Sequence, residues 1–196
     1  MTDKQADKLR LKIKKLKNAL AADKRRWAGY YDDSRGLRYL PTQYYIKLGD
    51  FDGGLKYLKW FHKNFPDDSG FPDFLFEWTI ILFKAGDLNQ AEQKAFKVFY
   101  SNAYIFDKFF GRPIVPIDKY EHSNIDIPAY TDYFNYNFNQ PDLADFADWL
   151  DKFTKSDKFV AASQKFIDIH KRLKTEKDSK TRQYLLKQMY QLRDNF

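Results

Sequence analysis

Apolar residues recur with helical spacing along most of this chain. In residues 3–30, Leu9, Ile13, Leu16, Leu20 and Trp27 fall at intervals of 4, 3, 4 and 7 and share one stripe, which Asp23 interrupts. Lysines and arginines fill the other faces, so the pattern predicts one long amphipathic helix. Tyr31-Asp32-Asp33-Ser34-Arg35-Gly36 reads as a connection, because its short polar side chains can bond to nearby backbone and Gly36 admits a positive φ. Pro41 suits the first turn of a second helix running to Lys47. A third helix is expected over 52–65, ended by Pro66-Asp67-Asp68-Ser69-Gly70. The fourth, 71–83, is apolar almost all round and should be central and buried. A fifth reaches Ser101, and three more are expected at 142–153, 156–174 and 178–194. The last two carry the stripes Phe159, Phe166, Ile169, Leu173 and Leu185, Met189, Leu192, Phe196.

Residues 111–141 break this rhythm. They contain Pro113, Pro116, Pro128 and Pro141, and Asn135, Asn137 and Asn139 alternate with aromatic residues. The segment reads as a long ordered wrap with one short helix near 129–136, anchored by Tyr120, Tyr130, Tyr133, Phe134, Tyr136 and Phe138.

An internal repeat organises residues 36–102. Leu48-Gly49-Asp50-Phe51 aligns with Ala85-Gly86-Asp87-Leu88 at an offset of 37 residues. The same offset sets Tyr45 over Leu82, Gly54 over Ala91, Leu58 over Ala95 and Phe61 over Val98. A glycine can end one helix in the left-handed conformation and an aspartate can cap the next. A β-branched residue at Gly86 is accordingly expected to clash. The segment resembles the tetratricopeptide-repeat family, whose repeat of ~34 residues has a small-residue turn, an apolar residue just after it, an alanine in the second helix and a terminal proline. Gly86, Leu88 and Ala91 match in the second copy, and Gly49, Phe51 and Pro66 in the first. The departures are the long offset, Gly54 in the alanine position, Ala103 in the terminal proline position, and Pro41, which shortens the first helix. The resemblance implies an all-α fold of antiparallel helix-pair repeats, an α-α superhelix, with N- and C-terminal helices as caps. It also implies a non-catalytic scaffold that binds a protein or peptide on its concave face. That face would carry Tyr39, Gln43 and Ile46 from the first copy and Phe76, Ile80 and Phe83 from the second. So apolar a set is expected to be filled by a terminal helix or by the 111–141 wrap, the alternative being an external hydrophobic partner.

Composition narrows the classes. The chain has 196 residues, enough for one domain, and its 19% aromatic content excludes a disordered chain. The domain is expected to divide into a basic helix and connection (1–35), the repeats (36–102), the wrap (103–141) and C-terminal helices (142–196). Cysteine is absent, which removes disulfides and thiolate chemistry. No apolar run approaches the ~18 residues of a membrane span, and residues 1–17 are too charged for a signal peptide. A cytoplasmic, membrane-free protein is expected. The net charge of +7 is uneven: residues 1–40 hold 12 Lys/Arg against 5 Asp/Glu, residues 41–155 are net acidic, and the C-terminal end is basic again. Such ends either attract polyanions or complement the acidic middle of the same molecule.

Motifs for catalysis and cofactors are missing. The chain contains no G-x-G-x-x-G, no G-x-x-x-x-G-K-[ST], no G-x-S-x-G and no H-E-x-x-H, so no enzyme activity, cofactor or metal is expected. His62, His122 and His170 are far apart and read as surface or packed residues. Asp50-Phe51-Asp52-Gly53 opens like a calcium loop, but Phe61 stands where the bidentate Glu is needed. Glu77 beside Trp78 is either a carboxyl raised by burial, in a general-acid environment, or else a partly exposed helix position or a buried partner of a lysine. Asp32-Asp33 and Asp67-Asp68 read as caps.

The sharpest cluster is basic and aromatic: Arg25, Arg26, Trp27, Tyr30, Tyr31, Arg35, Arg38 and Tyr39, with Gln43 further along. Arginines interleaved with aromatics grip acidic or aromatic peptides, and they also hold phosphates and stack bases. Alternatively, Trp27 and Tyr30 pack inward while the arginines pair with the acidic middle. The leading expectation is a protein-interaction module with partner contacts from Arg25, Arg26, Trp27, Arg35, Arg38, Tyr39 and Gln43. The alternative is a nucleic-acid-associated protein that uses its basic ends.

Overall fold

In the computed structural model, which describes residues 1–120 and 123–196, the chain is all-α, with no strand among those residues. The helices are α1 (Asp3–Arg26), α2 (Pro41–Leu48), α3 (Phe51–Asn64), α4 (Pro72–Lys84), α5 (Leu88–Ser101), α6 (Ile105–Phe109), α7 (Ala144–Thr154), α8 (Asp157–Thr175) and α9 (Ser179–Asp194). Single 3-10 segments occupy Leu37–Tyr39, Pro128–Tyr133 and Pro141–Leu143. The short helix expected near 129–136 is thus a 3-10 segment, and α6 has no counterpart in the apolar periodicity. The chain divides into two compact units, Met1–Gly70 with Glu77–Leu88, and Phe71–Phe76 with Asn89–Phe196. Helix α4 therefore lends residues to both.

In the N-terminal unit, α1 packs on α2 and α2 on α3. Thr2 and Gln5 form a capping box: Thr2 Oγ1 accepts from Gln5 N–H, and Gln5 Oε1 accepts from Thr2 N–H. Only Ala6, Ile13 and Leu20 of α1 are buried, with Leu9 and Leu16 half-buried between them. The helix stops at Arg26, four residues short of the expected end. Trp27 is its C-cap and lies outside the stripe, 48% exposed. Tyr45, Tyr57, Leu58, Phe61, Ile80 and Ile81 are buried. A Cβ on Gly54 would meet Ile81 Cδ1 at 3.0 Å, so the missing alanine of the first repeat makes room for that side chain.

The two Gly-Asp turns share one backbone geometry. Gly49 (φ 66°) donates to the Ile46 carbonyl at 3.0 Å and Asp50 N–H to the Tyr45 carbonyl at 3.1 Å. Thirty-seven residues on, Gly86 (φ 82°) donates to Phe83 at 2.9 Å and Asp87 to Leu82 at 3.0 Å. These are left-handed helix ends in which the next N–H reaches back a full turn and more. Nothing lies within 4 Å of a Cβ built on either glycine, so the clash expected at Gly86 is replaced by backbone strain alone. All eight residues paired by the 37-residue offset (Tyr45/Leu82, Gly54/Ala91, Leu58/Ala95, Phe61/Val98) are buried.

The C-terminal unit is organised by aromatic rings. Phe76, wholly buried, touches Phe109 (centroids 5.1 Å), Phe134 (4.9 Å), Tyr136 (5.8 Å) and Phe146 (5.5 Å). The wrap thus covers Phe76 with its own Phe134 and Tyr136. Of the other residues assigned to the concave face, Ile80 is fully buried, while Tyr39, Gln43, Ile46 and Phe83 are half-buried. A second group sets Phe96 flat on Phe196 at 4.2 Å and edge-on to Phe159 at 6.2 Å. Asn102, fully buried, holds the wrap down by donating to the carbonyls of Ile125 (2.8 Å) and Ile127 (3.1 Å). Lys119 is buried with Asp126 as its ion-pair partner.

Candidate partner-binding site at the end of α1

The residues singled out by the sequence lie where α1 ends and the chain turns back. Ala28 (φ 51°) and Gly29 (φ 101°) make the turn, and Gly29 N–H donates to the Lys24 carbonyl at 2.8 Å. Asp23, the break in the apolar stripe, shapes the connection beyond it. Its Oδ2 accepts from the backbone N–H groups of Asp32 (2.9 Å) and Asp33 (3.2 Å), drawing that segment back onto α1. Asp33 is buried at φ 24°, a strained conformation for a residue other than glycine. Its carboxylate accepts from Leu37 N–H at 2.8 Å and Arg38 N–H at 3.0 Å, capping the 3-10 segment.

Arg38 is the centre of this network. Its guanidinium pairs with Asp33 at 3.0 Å and Asp68 at 2.7 Å, donates to the Tyr39 hydroxyl at 2.9 Å and lies over the Tyr39 ring at 4.4 Å. The Tyr39 hydroxyl in turn donates to Asp68 at 2.7 Å, and the Tyr57 hydroxyl donates to the Arg38 carbonyl at 2.6 Å. Burial opposes the Arg38 charge, but Asp68 and Asp33 outweigh it and push its pKa up. Burial would also raise the Asp68 carboxyl. Hydrogen bonds from Tyr39, Arg38 and Gly70 N–H hold it below the usual carboxylate range instead. Tyr39 is pushed up to about 12, by burial first and then by Asp68.

The structure therefore separates the sequence candidates. Arg38 and Tyr39 are held in the fold, and Arg38 pairs with Asp68, a carboxylate of the acidic middle. Gln43 lies half-buried on α2. Arg25, Arg26 and Arg35 are exposed, as are Trp27 and Tyr30, the latter 79%. Tyr31 packs instead against Phe65 at 4.7 Å and Trp60 at 6.0 Å. A groove of about 410 Å³ brings Arg26 and Arg35 together with Asp23 and Asp32 over a floor that includes Ala19 and Leu20. Arg25, Trp27 and Gln43 do not line it. The sequence marks Asp33 and Asp68 as caps; for their second role, holding Arg38, the surplus of acid in the middle of the chain is a signal for Asp68, while Asp33, in the basic stretch, has none.

The remaining chemical candidates resolve simply. Glu77 is buried and accepts from the Thr42 hydroxyl. Asp50 caps α3, accepting from Gly53 N–H at 2.9 Å. His62 is exposed, and His170 is buried with Nδ1 2.7 Å from the Tyr120 carbonyl oxygen. His122 lies outside the described residues. Among the described residues no group of His, Asp and Glu is placed to hold a metal, and no helix is long and apolar enough to cross a membrane. No protein-family model, curated protein or solved structure matches this chain.

Proposed function

We propose that the chain is a non-enzymatic protein-interaction module, built on tetratricopeptide-like helix pairs, that takes a protein or peptide partner at the end of α1. The observation that carries this reading is the exposure of Trp27 and Tyr30 beside Arg25, Arg26 and Arg35, on a connection that the Asp23, Asp33 and Arg38 bonds hold in one conformation. Exposed Trp, Tyr and Arg are the residue types that dominate binding energy at interfaces, and a preordered loop loses little entropy on binding. Arg26 and Arg35 line one groove with Asp23, Asp32 and Asp33, so a peptide segment carrying charges of both signs fits best. The repeat reading is supported by the matching Gly49 and Gly86 turns and by the burial of all the residues that the 37-residue offset pairs.

Affinity capture from native lysate with wild type, Trp27→Ala and Arg35→Ala tests this. A protein retained by wild type and lost from both variants, with unchanged circular dichroism, is the expected result. Identical captured sets for all three would overturn it.

A further inference from the structure

The outward face of α1 is a surface of different chemistry from the groove. Lys4, Lys8, Leu11, Lys15, Asn18, Ala22 and Arg25 recur at intervals of 4, 3, 4, 3, 4 and 3, opposite the stripe that α1 buries, and all are exposed. Lys14 and Lys17 flank this row on one side and Lys12 and Arg26 on the other. At 3.6 residues per turn the cations cover roughly 240° of the helix circumference over a length of about 36 Å. Helix α1 holds 10 Lys/Arg against 3 Asp, whereas the whole N-terminal unit holds 17 against 11. The excess of positive charge in that unit therefore resides on α1. Arg10 pairs with Asp7 at 3.0 Å and Lys24 donates to Asn64 at 2.8 Å, whereas Lys4, Lys8, Lys14, Lys15, Lys17 and Arg25 form no ion pair among the described residues.

We infer that α1 binds double-stranded DNA, lying in the major groove and holding phosphates of both strands with little reading of sequence. The inference shares Arg25 and Arg26 with the peptide reading but rests on the lysines of α1, which that reading does not use.

Each alternative polyanion lacks a feature it needs. Protein interfaces are depleted in lysine and built around apolar or aromatic anchors, and this face offers Leu11 alone. A helix lying in a membrane surface inserts its apolar side, but Ile13 and Leu20 of α1 are buried within the protein. Single strands are held by stacking on aromatic rings, and residues 3–26 contain no Phe, Tyr or Trp. Duplex RNA has a deep, narrow major groove that excludes a helix. The DNA major groove, about 12 Å wide, admits a helix of 10–12 Å diameter. Phosphates then stand on both flanks, where Lys14 and Lys17 face one strand and Lys12 and Arg26 the other. Near the centre of the row stand Leu11 and Asn18, and its one arginine, Arg25, lies in the last turn, so phosphate contacts should outweigh base readout and sequence preference should be slight.

Fluorescence anisotropy with a generic 24-base-pair DNA duplex at several salt concentrations tests the inference. Wild type should bind, with an affinity that falls steeply with salt. Lys8→Ala/Lys14→Ala/Lys15→Ala/Lys17→Ala should reduce the log–log salt slope by about 3 to 4 and weaken binding to any duplex sequence alike. The control Lys165→Ala/Lys171→Ala/Lys180→Ala/Lys187→Ala removes the same charge from α8 and α9 and should change affinity less than twofold. Equal losses in the two variants would overturn the inference. So would duplex RNA, poly-glutamate or phosphatidylserine vesicles competing as well as DNA.

Discussion

Both units pack aromatic rings together, Phe61 with Phe65 in one and Phe76 with Phe109 in the other, but they differ in the polar contacts added to the rings. The N-terminal unit is pinned by a charged network in which Asp33, Arg38, Asp68 and Tyr39 bond to one another and to backbone. The C-terminal unit is closed by rings, with Phe76 against Phe109, Phe134 and Phe146, and Phe96 against Phe159 and Phe196. Ring packing gains from buried area and tolerates several geometries. A half-buried charged network fixes one geometry, because each group left without its partner costs free energy. The contrast fits the proposed peptide site: the Asp33–Arg38–Asp68 network adjoins the connection that must present Trp27, Tyr30 and Arg35 in one arrangement.

The largest effect should come from breaking the ring-closed unit. Phe76→Ala removes a side chain with no exposure at all and is expected to cost ~3–5 kcal/mol. Amide hydrogen exchange should show lost protection in α6 and α7. Arg38→Ala comes next, at about 2–3 kcal/mol, since it leaves Asp33 buried without its cation while the guanidinium it removes was itself one-fifth exposed. Loss of protection should then centre on residues 31–40. Equal disturbance of both segments by either variant would dissolve the contrast.

These two networks are unequally legible in the sequence. Apolar periodicity reveals the helices and marks residues 71–83 as buried, because burial is written one residue at a time. The resemblance to tetratricopeptide repeats implies an apolar face filled by a terminal helix or the wrap, and Phe134 and Tyr136 of the wrap cover Phe76. The Arg38 network is hidden because its members are far apart in sequence: Asp68 lies thirty positions from Arg38. Spacing alone puts Trp27 on the stripe, and spacing does not reveal that Ala28 and Gly29 end the helix. Asp23 looks like a defect in a stripe, although its carboxylate organises the turn beyond it.

A smaller effect sharpens the comparison inside the repeat. Gly86→Ala and Gly49→Ala should each cost ~1–2 kcal/mol, the penalty of a left-handed backbone for a residue with a Cβ, because open space surrounds both positions. Thermal melting of the two variants should give similar losses. A much greater loss at Gly86 would restore the steric account of that turn.

The smallest effect is the response to acid, and its sign separates the units. Asp68 is held below the usual carboxylate range in the folded N-terminal unit. Its contribution is present above the unfolded carboxylate pKa, near 4, and is lost as pH falls through the lower folded value. In the C-terminal unit burial raises the Asp107 carboxyl, with Arg112 opposing. Raised values work the other way: as pH falls, protonation favours the folded form. That unit also has lowered carboxylates at Asp118, Asp151, Asp178 and Asp194, but these lie on exposed caps or screened surface pairs that contribute little. Acidification below about pH 4 should therefore loosen the N-terminal unit first. Fluorine-labelled tryptophan resolves the order, since Trp60 and Trp78 report on that unit and Trp149 on the other. Asp68→Asn should lower stability at neutral pH and flatten the acid response of Trp60 and Trp78, leaving that of Trp149 unchanged. If Trp149 moved first in wild type, the Arg38 network would not be what makes the N-terminal unit sensitive to pH.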